Sequence, residues 1–561
     1  MKRTCKLLSL LLALVLLLSA CQTEPAATGT TAPPTETAAV TEPPSTNAHP
    51  AVSEETVPAT TESAGPENVN LGGYAVSSST KEATAAGMEI LAKGGNAVDA
   101  AVAVALALGV TEPYSSGLGG SGVMVVYDPV KDRGHSLDYY ACAGSAAAPT
   151  DYVGVPGFLA GMQEALDRWG TMTLREVIEP AVDLAENGFP ATEVFVRRLS
   201  YSAKLSQNKA FASVREGDTV IQQELADTLK LIRDEGSAVF YTGQIAEDIA
   251  NACDLDLMDL AAYKVNYYNA LRSRFNGVRI YSTTAPTSGV VTSEMLTVAD
   301  LMDVPDPHED PDGYLKVMKL ATEIGYKTRR TKLVDPRFYE FDGKQLVSRK
   351  YVRKLVRKAL AAQGETLMAE PDPERRCTTQ FAVIDSQGMV VCVTNTLSDN
   401  WGSYIYVDGF YLNNTMTNFN KTGKNAYEPL KRPRTHFSPV LCIGEENGLR
   451  LAIGSPGGDA IPKVVAQVLI DVLKFDADLQ QAVDEARYYY DDDGLLCLET
   501  VEDGGSSRID LAKINQRYYF SSSHVSFGCT AIVGYDPEKG FLAVSDLRRD
   551  GSDAQIASIG N

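Results

Sequence analysis

The sequence predicts an α+β fold built in layers, a four-layer αββα sandwich with helices packed on a strand-rich core. Three observations carry this. From Gly72 onward helical and strand patterns alternate without a second linker. The stretch from Ala97 to Gly109 is rich in Ala and Val and apolar on every side, as a helix buried between layers must be. The C-terminal third is dense in strand patterns closed by short turn signals.

In chain order, Tyr74 to Ser78 reads as a strand and Lys81 to Ala92 as a helix, broken by Lys93-Gly94-Gly95-Asn96 before the buried helix. Gly117-Leu118-Gly119-Gly120-Ser121-Gly122 then leads into a strand at Val123 to Tyr127. This cluster precedes a strand, whereas nucleotide-binding loops need a strand before and a helix after, so it predicts close backbone packing instead of a phosphate site. Helices are expected over Phe158 to Trp169, Leu174 to Asn187, Ile221 to Glu235 and Gly243 to Ala252, with a mostly helical block from Ser293 to Ala362. Asp385-Ser386-Gln387-Gly388 predicts a hairpin joining Phe381–Ile384 to Met389–Val393, and Glu445-Glu446-Asn447-Gly448 predicts a second. A helix follows near Pro462 to Leu473.

The first residues carry a different signal. Met1-Lys2-Arg3 is positively charged, Leu7 to Leu18 is apolar but too short to span a bilayer, and Leu18-Ser19-Ala20-Cys21 places small residues before a cysteine. Residues 1–20 therefore read as a lipoprotein signal peptide with Cys21 lipidated. Residues 22–67, almost entirely Thr, Ala, Pro, Ser and Glu, read as a disordered tether. The expected location is the outer face of a bacterial cell membrane, reached through the lipid anchor alone. A net charge of −21 argues against nucleic acid and against an anionic membrane surface as partners. Nine cysteines without CxxC spacing and five scattered histidines support neither a disulfide framework nor a metal site, and no cofactor is expected.

The chemistry concentrates at Cys377-Thr378-Thr379-Gln380-Phe381. A threonine hydroxyl is a poor nucleophile and needs a base nearby. If the chain is cut before Thr378, the freed α-amine supplies that base on the same residue. Such a threonine opening a core strand inside a longer chain is what a self-processing N-terminal-nucleophile hydrolase requires. Taken alone, a Thr-Thr pair before a hydrophobic run is usually just β-propensity.

The wider sequence resembles the γ-glutamyltranspeptidase (glutathione hydrolase) family from about Leu71 to Ile556. The motifs that carry the resemblance are Ile90 to Ala101, Val110-Thr111-Glu112-Pro113, Gly117 to Gly120, Asp259 to Tyr263 and Pro286-Thr287-Ser288-Gly289. Thr378-Thr379, Thr394-Asn395-Thr396-Leu397, Lys431-Arg432-Pro433, Ser438-Pro439 and Ser455-Pro456-Gly457-Gly458 complete it in order. The resemblance implies cleavage between Cys377 and Thr378, giving a heavy subunit (68–377) and a light subunit (378–561) that stay together as a heterodimer. It further implies Thr378 as nucleophile and, through its amine, base; Thr396 as the residue that orients it; and Gly457 and Gly458 as N–H donors to the oxyanion, worth about 3–4 kcal/mol per donor. The implied reaction is ping-pong transfer of a γ-glutamyl group from a small amide to water or an amino acceptor.

The implied substrate-binding positions depart from the family. Where the family has an arginine for the glutamyl α-carboxylate, Leu137-Asp138-Tyr139-Tyr140 has Tyr140. A phenol offers one neutral hydrogen bond in place of a charged fork. Ser398 replaces an asparagine, Asn418 an acidic residue, Thr415 a Gln or Glu, and Thr435-His436 a serine pair. The segment between Asn418 and Lys431 is too short for a long lid, and Arg133 and His436 are the candidates for replacement contacts. Three functions follow as alternatives: a γ-glutamyltransferase or hydrolase, a related amidase or acylase on another acyl group, and a catalytically weak ligand-binding lipoprotein.

Overall fold

The strands Cys377–Ile384 and Val390–Ser398 are buried along their whole length. Both faces of that hairpin must therefore be covered, and the layering follows from this requirement. The computed structural model describes residues 70–146, 149–202, 204–205, 208–362, 377–490, 494–500, 509–521, 527–549 and 552–559. The signal peptide, Cys21 and the whole tether lie outside them.

The hairpin sits at the centre of a seven-stranded sheet in the order Asp553–Ser558, Gly73–Ser78, Cys377–Ile384, Val390–Ser398, Ser121–Asp128, Arg133–Tyr139, Asn266–Asn269. Every pairing in it is antiparallel. A second antiparallel sheet of six strands runs Gly540–Ser545, Ala531–Asp536, Arg450–Gly454, Val440–Ile443, Val278–Ser282, Leu271–Phe275.

Alternation of side chains sorts the core into three slabs. Phe381, Val383, Val391 and Val393 point outward and pack with the Ala97–Thr111 helix and its neighbours. Ala382, Ile384, Val390 and Cys392 point inward and meet Leu441, Ala452 and Val533 of the second sheet. Val440, Cys442, Leu451 and Ile453, on that sheet's far face, pack under the helices Gly289–Leu301 and Ile461–Lys474. Helices thus cover both outer faces, and the four-layer αββα sandwich is the observed fold.

Local sequence explains the elements that frame the site. Asn96 caps the buried helix with a reciprocal Asp99 bond, and the Asp385 carboxylate of the hairpin turn accepts from Ala97 N–H at 2.9 Å. An anion at a helix N-terminus is favourable, so the turn and the helix fix each other. The single helix expected over Leu174–Asn187 is instead two, Leu174–Val177 and Glu179–Asn187, because Pro180 starts a new first turn. Among the described residues the seven cysteines are free thiols, no group of side chains could hold a metal ion, and no helix is long and apolar enough to cross a membrane.

The glycine cluster is a close-packing device. A Cβ on Gly119 would lie 2.2 Å from the Tyr411 carbonyl oxygen, one on Gly120 2.6 Å from the Thr396 carbonyl oxygen, and one on Gly122 2.2 Å from Asn395 Oδ1. The cluster therefore lets the chain lie against the strand that carries Thr396. Gly119→Ala, which pushes against backbone, is expected to destabilise the protein by on the order of 2–4 kcal/mol, read as a lowered midpoint in denaturant unfolding.

Candidate active site

Thr378 is buried in the central strand, on the face that Gln380 and Ala382 turn toward the second sheet. Gln380 presses against that sheet so closely that a Cβ on Gly454 would lie 2.3 Å from its Cδ. Directly before Thr378, the Cys377 carbonyl oxygen accepts a short hydrogen bond from the Thr396 hydroxyl on the neighbouring strand. Thr396 Oγ1 in turn accepts from Ser398 N–H at 2.8 Å. These contacts depend on an irregularity: the pairing register shifts between Asn395 and Ser398, and Ser398 sits at φ +80°. A bulge re-aims a strand end, and a left-handed serine costs about 1–3 kcal/mol, which the surrounding structure must offset.

The Cys377 thiol lies within hydrogen-bond reach of the Tyr114 carbonyl (3.1 Å), Ser115 Oγ (3.3 Å) and Asn400 Oδ1 (3.3 Å). Burial pushes its pKa up, so it stays a neutral donor. On the face of the strand opposite Thr378, Glu112 gathers four donors. Ser79 Oγ (2.7 Å), the Thr379 hydroxyl and Arg549 Nη1 (3.4 Å) meet Oε2, and the Tyr114 hydroxyl (3.1 Å) meets Oε1. Arg549 also donates to the Thr378 carbonyl at 3.0 Å. Burial disfavours the Arg549 charge, but Glu112 together with Tyr114, Cys529 and Cys377 outweighs this and holds the guanidinium above its usual range. The backbone on both sides of the Cys377–Thr378 bond is thus gripped, by Thr396 before it and by Arg549 after it.

Three of the residues expected to touch substrate come together. Asn418 Nδ2 donates to the Tyr140 hydroxyl at 2.9 Å and to Ser398 Oγ at 3.3 Å, and all three are buried. Asn418 closes a short 3₁₀ turn that begins at Thr415, whose N–H is held by Asn413 Oδ1 at 3.0 Å. Tyr140 packs edge-on against Phe437, ring centroids 5.3 Å apart. Gly457 and Gly458, at φ +129° and +57°, turn the chain from the strand Arg450–Gly454 into the helix Ile461–Lys474, beside Gln380's contact. First-turn N–H groups of a helix have no partners within it and can face an anion.

The other expected residues have different neighbours. Thr435 N–H bonds the Pro286 carbonyl at 3.1 Å and its carbonyl accepts from Ser288 Oγ at 2.8 Å, toward the Gly289–Leu301 helix. The buried His436 ring lies 6.0 Å from that of Tyr326. Arg133 is exposed at the far end of the strand that runs to Tyr139, so it cannot replace the missing arginine at Tyr140.

Sequence reasoning did not anticipate Glu112 and Arg549 as a pair, nor the role of Arg432. Arg432 is buried and fully engaged: Nε on the Tyr140 carbonyl (2.8 Å), Nη1 on Asp138 (3.0 Å), Nη2 on the Lys264 carbonyl (2.7 Å) and the Tyr263 hydroxyl (3.2 Å). Glu112 did carry a signal, since a carboxylate ending a mostly apolar, buried helix must find partners. Arg549 carried none.

Comparison with known proteins places this geometry. A family described as gamma-glutamyltranspeptidase matches residues 83–556. The capsule biosynthesis protein CapD proenzyme of Bacillus anthracis is 35% identical over 428 residues, 75% of this chain and 79% of that protein. The glutathione hydrolase proenzyme of Bacillus subtilis (strain 168) is 31% identical over 526 residues, 83% of this chain and 88% of that protein. Among solved structures, cephalosporin acylase from Bacillus halodurans shares the fold with a TM-score of 0.75 at 23% identity, over 90% of this chain and 99% of that one.

Arg549→Ala would leave Glu112 a buried carboxylate without its cation. The expected loss is about 3–5 kcal/mol of unfolding free energy, with Arg549→Lys losing less, measured by denaturant titration.

Proposed function

The chain belongs to the γ-glutamyltranspeptidase family and has the N-terminal-nucleophile hydrolase fold, and from this premise we propose that it is a self-cleaving enzyme with Thr378 as nucleophile. The observation that carries the reading is the hydroxyl of Thr396 on the Cys377 carbonyl oxygen. A carbonyl polarised in this way is the electrophile that cleavage needs, and a donor placed on its oxygen stabilises the negative charge that develops there.

Thr378 Oγ attacks the Cys377 carbonyl carbon, the Cys377–Thr378 C–N bond breaks, and the nitrogen takes up a proton. The resulting ester between Cys377 and Thr378 Oγ is hydrolysed by water. This leaves a carboxylate on Cys377 and a free α-amine on Thr378, the boundary between segments 68–377 and 378–561. That amine then serves as base for the same hydroxyl. Thr396 orients Thr378, and Gly457 and Gly458 donate N–H groups to the oxyanion of an incoming amide. The amide's C–N bond breaks, its amine leaves protonated, and the acyl group rests as an ester on Thr378 until water or an amine takes it.

The relatives named as glutathione hydrolases favour a γ-glutamyl amide as donor. Asn418 and Tyr140, neutral where that head group would need charges, favour a second reading: an amidase or acylase using the same nucleophile on another acyl group. The charge and spacing of residues 1–21 support export and anchoring through a lipidated Cys21, with the 22–67 tether carrying the folded body.

The full-length chain is expected to split in two on a denaturing gel, and Thr378→Ala to remain whole. A wild-type chain that stays whole would instead favour a ligand-binding lipoprotein. Thr396→Val, which keeps the shape and removes the donor, is expected to slow splitting by roughly 10²–10³-fold in a time course.

A further inference from the structure

We propose that the buried polar group Tyr140, Ser398, Thr415 and Asn418 beside Thr378 receives an uncharged acyl group with an amide or hydroxyl on it, and discriminates against a free amino-acid head carrying an ammonium and a carboxylate. This rests on the reading of Thr378 as nucleophile.

The group's position follows from a continuous set of contacts. Ser398 pairs across the sheet with Cys377, Asn418 reaches Ser398 Oγ at 3.3 Å, and the same amide reaches Tyr140 OH at 2.9 Å. The group is therefore one side chain removed from the bond that Thr378 opens. Asn418 Oδ1 and Thr415 Oγ1 are buried and have no hydrogen-bond partner among the described residues. They belong to one 3₁₀ turn at i and i+3, positions that fall on the same side. Buried polar atoms are almost always partnered, so the pair calls for polar groups on a ligand. Turning the Asn418 amide over would exchange an acceptor for a donor and leave the group equally neutral.

The surrounding charges are spent on the protein itself. Arg432, directly behind Tyr140, is engaged through all three nitrogens by Asp138, Tyr263 and two backbone carbonyls. Arg434 bonds the Arg329 and Arg330 carbonyls at 3.3 and 3.0 Å and Asn420 Oδ1 at 3.2 Å. Arg549 is held by Glu112 and the Thr378 carbonyl. Of the carboxylates, Asp138 belongs to Arg432 and Glu112 to its four donors. A carboxylate or ammonium entering here would lose water against charges that already have partners, a cost that a neutral amide avoids. The acyl group is thus one whose α-nitrogen is already acylated and whose carboxyl is amidated or absent, as in the interior of a peptide-like chain.

The test uses the full-length protein after it has split, with two p-nitroanilides as probes. One carries a free γ-glutamyl group; in the other the α-amine is acetylated and the α-carboxyl amidated. The expected result is a kcat/KM at least tenfold higher for the capped anilide. Equal rates, a preference for the free head, or cleavage of neither by the split protein would overturn the proposal. Failure of the nucleophile reading is seen separately, as a chain that never splits. In the double variant Tyr140→Arg/Asn418→Asp the preference is expected to move at least 100-fold toward the free head, and an unchanged ratio in a folded, split variant would count against the proposal. The wild-type comparison stands whether or not that variant folds.

Discussion

A single buried carboxylate, Glu112, ties together the segments that make the site. It ends the buried helix, accepts from Ser79 just past the first strand and from Thr379 on the central strand, and pairs with Arg549 from near the chain's end. Removing a carboxylate from water is costly, and only a full set of donors offsets it. The four donors here meet that requirement and at the same time position the backbone around Thr378, because Arg549 also holds the Thr378 carbonyl. Stability and positioning therefore rest on the same contacts, and a change at Glu112 cannot affect one without the other.

On the other face of the strand, the bulge at Ser398 does comparable work. It spends backbone strain to bring Ser398 N–H onto Thr396, Thr396 onto the Cys377 carbonyl, and Ser398 Oγ within reach of Asn418. The side chains proposed for catalysis and those proposed for binding are thus built from one short stretch of strand. The proposed machinery at Thr378 can in this way persist beside neutral residues. Tyr140 and Asn418 hydrogen-bond each other where a charged pair would each seek a substrate group.

Much of this was legible because it is local. Asp385-Ser386-Gln387-Gly388 marks its hairpin by turn chemistry, Ala97 to Gly109 declares burial by lacking any polar face, and Gly117 to Gly122 precedes a strand and so reads as packing. The grouping of Tyr140, Ser398 and Asn418 could be anticipated only through the resemblance, since nothing in their spacing brings them together. What escaped is long-range or depends on exact partners. Glu112 and Arg549 are 437 positions apart, and no periodicity links them. Arg432 stood in sequence only as part of the Lys431-Arg432-Pro433 motif, with no partner legible, and proves to be a strut. Arg133 looked available to that grouping, yet the strand's length places it at the wrong end. Helices were expected over the strands, but that they divide between two outer faces depends on which sheet each strand joins.

The central claim is that Thr378 frees itself. N-terminal sequencing of the smaller fragment from the purified, full-length protein tests it most directly. The account predicts a fragment beginning Thr378-Thr379-Gln380-Phe381, formed without any added protease. A fragment beginning at any other residue, or a chain whose Cys377–Thr378 bond stays intact, would contradict it.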